Sequence, residues 1–139
     1  MPGQAVTLVG RYSGPERRAS GVLHLEAGDL PARLARLHTE LCRLFAAYRP
    51  DSCAIEGLFH YRNARSALIL GHARGVCLLA AASHGVPVVE YAPARVKRAL
   101  VGNGAADKQQ VCYMVQRILG FTAAEALDET DALAVALCH

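Results

Sequence analysis

Ser52-Cys53-Ala54-Ile55-Glu56 is a short, mostly apolar run, cut off from the segment before it by Pro50, and it ends on an acid. Such a run suits a buried strand, because strands covered on both faces read as near-continuous apolar stretches. N-terminal to it, Leu30, Leu34, Leu37, Leu41, Leu44 and Tyr48 recur at steps of four and three. That spacing marks one buried helix face, which Asp29 can cap and whose first turn tolerates Pro31. C-terminal to it, Gly57 leads through a loop into an Ala-rich helix, 64–84, carrying Gly71 and Gly75 and stopped by Gly85. Val86 to Tyr91 (VPVVEY) then repeats the buried-strand type.

Further out, QAVTLVG (4–10) and ASGVLHLE (19–26) flank a turn-rich stretch, 11–18, and read as a hairpin. Helices are predicted over 93–100, 105–119 and 127–138, with Gly102-Asn103-Gly104 turning the chain between the first two. The order predicts an α/β fold, a central mixed sheet flanked by helices, without internal repeats.

At 139 residues and 14.8 kDa the chain is sized for a single domain, 1–139. A hydrophobic share of 53%, a charged share of 19% and a mean hydropathy of +0.19 exclude a disordered chain. No apolar run is longer than Val76 to Ala82, far short of the ~20 residues that cross a bilayer, so no membrane span is expected. Nothing near the N-terminus reads as a signal peptide, which predicts a cytoplasmic protein. Five cysteines (Cys42, Cys53, Cys77, Cys112, Cys138), with no C-x-x-C pair and apolar neighbours, fit reduced thiols better than disulfides or zinc. The net charge of +3 and pI near 8.7 permit nucleic-acid binding without requiring it.

Glu56 stands where functional groups gather in open α/β sheets, beyond the carboxyl end of a strand. A solvated strand-end Glu reads the same way. Asp128 and Asp131, three apart at the start of the last helix, point from one face and could share a metal ion, although helix N-termini also attract Asp for capping alone. If the three carboxylates converge, their repulsion calls for cations between them, and oxygen-only ligands suit Mg²⁺ or Mn²⁺. Two such ions about 3.5–4 Å apart would hold a phosphodiester and activate a water. Phe59, in a polar loop, could stack on an unpaired base or pack inward. Lys97 and Lys108, the only lysines, lie near helix starts beside Arg95 and Arg98, either as a phosphate rim or as a solvated face. The six histidines show no zinc spacing, there is no G-x-S-x-G elbow, and nothing pairs a Cys with a His.

AIEGLF (54–59), NARSALILGHARGV, VKRALVGNGAADKQQV and LDETDALAVALCH together resemble the RuvC family of bacterial crossover junction endodeoxyribonucleases, over nearly the whole chain. The resemblance implies an RNase H-like fold, a homodimer, and metal-dependent symmetric nicking of four-way DNA junctions in recombination and repair, in partnership with the RuvAB branch-migration complex. It makes Glu56, Asp128 and Asp131 metal ligands. Phe59 takes the place of the aromatic that stacks on a junction base, and Lys97 and Lys108 those of basic residues that approach DNA. Arg65, beside Phe59's loop, is counted with these DNA contacts. Helix 64–84 takes the place of the dimer helix, where the spacing of Gly71 and Gly75 suits close approach of two copies.

One block of the family pattern is absent: a first strand with a G-x-D-P-G motif, whose Asp completes the ligand set and whose strand runs mid-sheet. Here QAVTLVG matches the family's second strand instead. The expectation is an N-terminally truncated enzyme with its first strand encoded upstream, folding poorly alone because a missing central strand exposes two rows of backbone groups. Should the chain cut nonetheless, Glu16 or Glu90 could supply the fourth ligand. The alternatives are an inactive relative that binds branched DNA or a partner, and an unrelated α/β interaction module.

Overall fold

The structure is a computed structural model that describes residues 4–11, 15–25, 28–57, 63–120 and 127–139, the side chains of 4–11, 15–18, 127 and 128 apart. The leucine periodicity forms α1, Leu30–Tyr48. Asp29 caps it by accepting the Ala32 N–H at 3.0 Å, and Arg49 ends it in the left-handed region (φ 45°), where Pro50 forbids another turn. The run at 52–56 forms β3, Cys53–Glu56. Asn63 then starts α2, Ala64–Ser83, by accepting the Arg65 N–H at 2.8 Å, and Gly85 (φ +67°) turns the chain after it. The second apolar run gives β4, Val88–Tyr91, and Pro93 opens α3, Pro93–Val101.

The starts of α4 and β2 differ most from the sequence reading. The helix expected from Ala105 begins three residues later as α4, Lys108–Leu119, because Asp107 and Gln110 form a reciprocal capping box that needs Asp107 extended. After β1, Gln4–Arg11, strand β2 spans Pro15–Leu23, so it takes in the polar Glu16, Arg17 and Arg18 that looked like turn. Pairing with β1, rather than propensity, makes these residues strand. The last helix, α5, is Leu127–Cys138, as its pattern predicts.

The β3–β4 pair is parallel: the Cys53 N–H donates to Pro87 O at 2.9 Å and the Gly57 N–H to Tyr91 O at 2.8 Å. The β1–β2 pair, joined by three residues, is antiparallel. The α/β architecture is the expected one, but the sheet comes in two pieces. Among the described residues no strand is hydrogen-bonded to both pairs.

The chain divides into two compact units. One holds α1, α2 and the starts of β3 and β4, with Leu37, Leu41, Ala73, Ala80 and Ala81 buried. Phe45 of α1 stacks on His84 just past α2, ring centroids 5.6 Å apart. Cys42 lies 3.6 Å from His38 Nε2 one turn before it, a Cys–His pair that the sequence reading missed. Three leucines of α2 face outward: Leu68 is 63%, Leu78 38% and Leu79 58% exposed. Gly71 and Gly75 open onto empty space, so within this chain they serve no close approach. This 20-residue helix is also long and apolar enough to cross a membrane, with a hydropathy of 1.4. Counting uninterrupted runs does not register this helix, because His72 and Arg74 break the runs, whereas hydropathy is averaged along it; length and composition alone do not place it in a membrane.

The other unit holds β1, β2, the ends of β3 and β4, and α3 to α5. Helix α5 packs along β1 and against α3 and α4. Its core joins Tyr91, Val96, Leu100, Val111, Val115, Leu133 and Val135. All five cysteines are free and half-buried, and burial pushes the Cys77 thiol up to about 11, which fits inert reduced thiols.

Candidate functional site

Glu56 is the last residue of β3, and the buried Gly57 beside it is fixed by its bond to Tyr91 O. Burial raises the Glu56 carboxyl above its ordinary range, and the negative charge of Asp131 on α5 raises it further, while Lys108 and Lys97 pull it back. One strand end, one turn of α5 and the two lysines thus share a field. Lys108 Nζ lies 3.4 Å from Asp131 Oδ2 with both side chains largely in water, so the pair itself contributes only ~0–1 kcal/mol. Its importance is placement: the capping box at Asp107 sets Lys108 as the first residue of α4.

Asp128 belongs to the same helix as Asp131, one turn earlier, and its side chain lies outside the described residues. Among the described residues no three His, Cys, Asp or Glu side chains gather as a metal-binding group. Phe59 also lies outside them. Arg65 is exposed in the first turn of α2, in the other compact unit from Glu56. Lys97 is not near a helix start: it sits mid-α3, half-buried, because Pro93 begins that helix four residues earlier. Arg95, expected on a phosphate rim, lies over the Tyr91 ring at 5.0 Å from its centroid. Glu90 is exposed on β4, the side chain of Glu16 is outside the described residues, and Glu129 is held by the Ser20 hydroxyl.

The sequence reading passed over Tyr91 and His139. Tyr91 is 6% exposed, and its hydroxyl is 2.9 Å from His139 Nδ1, with the rings edge to face. The only signal in the sequence was an aromatic closing an apolar strand; its partner is 48 residues away.

Glu56 and Asp131 are oxygen donors, which suit a hard divalent cation, and the adjacent lysines suit a phosphate. On this α/β frame such a set of groups is of the class suited to a phosphate-bearing polyanion. The comparisons name the family. A family model of crossover junction endodeoxyribonuclease RuvC matches residues 10–139. RuvC of Alkalilimnicola ehrlichii is 45% identical, covering 99% of this chain and 86% of the relative. RuvC of Methylococcus capsulatus is 46% identical with the same coverage. Among solved structures, Thermus thermophilus RuvC superposes with a TM-score of 0.84 at 34% identity, covering 99% of this chain and 84% of that one. The same protein in complex with a Holliday junction substrate gives 0.89 at 33% identity, covering 99% and 88%. The chain belongs to the RuvC family and has its RNase H-like fold.

Proposed function

We propose that this protein is a Holliday junction resolvase, an endonuclease that nicks four-way DNA junctions symmetrically during recombination and repair. The observation that carries the reading is the convergence of Glu56, Asp131, Lys97 and Lys108 at the end of β3, in a family whose Thermus thermophilus member is solved with a Holliday junction.

Glu56, Asp128 and Asp131 would hold divalent metal, Mg²⁺ or Mn²⁺ and two ions per site, which would supply activation of water and stabilisation of the leaving oxygen. Glu56 must be ionised to serve, and Lys97 and Lys108 favour that ionised form. Lys108 exchanges Asp131 for a DNA phosphate, a cheap move because the pair is exposed. Phe59 stacks on a base at the junction centre and Arg65 contacts the backbone. Two copies pair through the uncovered face of α2, which places two sites for paired nicks and calls for no membrane around that helix. RuvAB is the partner complex and the cytoplasm the place of work.

The test is incubation of the 139-residue protein with a synthetic four-way junction and Mg²⁺, beside Glu56→Gln. Symmetric nicks lost in the variant support the reading. Binding without nicking by the unmodified protein replaces it with that of an inactive junction binder.

A further inference from the structure

Glu56 and Asp131 sit on different elements, β3 and α5, and any chemistry that uses both depends on the spacing between those elements. Tyr91 touches both. Its backbone carbonyl takes the N–H of Gly57, the residue next to Glu56, at 2.8 Å, and its hydroxyl meets His139, which directly follows α5, at 2.9 Å. The His139 N–H is itself bonded to Val135 O at 3.2 Å, so the imidazole is carried on the end of the helix that bears Asp131. Arg95 covers the Tyr91 ring from α3. Tyr91 is buried at 6% exposure, so its hydroxyl cannot exchange His139 for water at little cost.

We infer that Tyr91 is a positioning residue for cleavage, tying the strand end that presents Glu56 to the helix that presents Asp131, with His139 as its anchor. This rests on the nuclease reading above, and it adds two residues that touch neither DNA nor metal. Removing the hydroxyl leaves the ring and its packing in place but frees α5 from β4. The two carboxylates then sample a wider range of separations, and misplacement by about 1 Å costs on the order of a hundredfold in rate.

The experiment compares unmodified protein, Tyr91→Phe, His139→Ala and His139→Gln, the last keeping a side chain that can pair with the hydroxyl. Single-turnover nicking of a four-way junction is read against Mg²⁺ concentration, junction Kd is measured without metal, and amide exchange is followed at Gly57 and Leu133. The expected result is a ten- to hundredfold lower nicking rate and a higher Mg²⁺ requirement in Tyr91→Phe and His139→Ala, with unchanged Kd and partial rescue in His139→Gln. Exchange at Gly57 rises while Leu133, in the core, stays protected. Unmodified rates in Tyr91→Phe with Gly57 still protected overturn the inference, as does equal loss of protection at Leu133, which makes the hydroxyl a general stability element. If the unmodified protein does not nick, the nuclease reading fails by itself, and Gly57 exchange still decides whether the tie exists.

Discussion

Helices α2 and α4 divide their side chains in opposite ways. Helix α4 buries Val111 and Val115 and turns Gln109, Gln110, Tyr113 and Arg117 to water. Helix α2 fully buries only Ala73, Ala80 and Ala81 and leaves Leu68 and Leu79 outside. An amphipathic helix such as α4 has completed its burial within the chain, whereas a helix apolar on all sides gains most only when its outer face is also covered. The unit that carries α2 leaves Leu68, Leu78 and Leu79 for the second copy proposed above to cover.

The sharpest break between the two regions comes from Glu56→Gln, which is expected to cut nicking by about a thousandfold or more while leaving junction binding intact; gel-shift and cleavage assays on one junction check it. Next, Leu133→Ala should cost about 2–5 kcal/mol in urea unfolding, because Leu133 is fully buried in the core cluster. Leu79→Glu inverts that outcome: it should leave the unfolding of the single chain nearly unchanged but convert dimer to monomer in sedimentation equilibrium. A dimer that survives Leu79→Glu would remove the lesson drawn from α2. Asp107→Ala sharpens the account of the site unit, losing about 1 kcal/mol with the cap and fraying the turn that holds Lys108, visible as faster amide exchange there.

The smallest effect concerns pH. The Glu56 carboxyl is raised in the folded state, first by burial and then by Asp131, so folding takes up a proton between the ordinary carboxylate range and the raised one. Metal-free stability is therefore fullest below that window and falls as pH rises through the raised pKa. Thermal melting across mildly acidic pH should show this decline in the unmodified protein, and Glu56→Gln should flatten it.

Much of this was legible in the chain because it is local. The step of three and four in α1, the cap at Asp29 and the apolar runs of β3 and β4 are all decided within a few residues. The start of α4 was misplaced because a capping box outranks the helix propensity of Ala105 and Ala106. Glu56 stood out as an acid closing an apolar strand, but its company could not be read, since Lys108 and Asp131 are 23 residues apart and Tyr91 and His139 are 48 apart. No periodicity reports such pairings; only the path of the chain through space creates them. The Cys42–His38 pair, by contrast, lies one helical turn apart and was readable once α1 was drawn.

The parallel pairing of β3 with β4 also sets an order in time. A parallel strand cannot find its neighbour until the intervening helix has carried the chain back, and the entropy of closing such a loop has to be met before the contact rewards it. Helical turns form on much shorter timescales than pairings between distant segments. Helices α1, α2 and α4 can therefore take shape while Glu56 is still far from Asp131. The proposed cleavage centre, drawn from widely separated stretches of chain, is among the last things the polypeptide makes, so a half-folded molecule is not yet a nuclease.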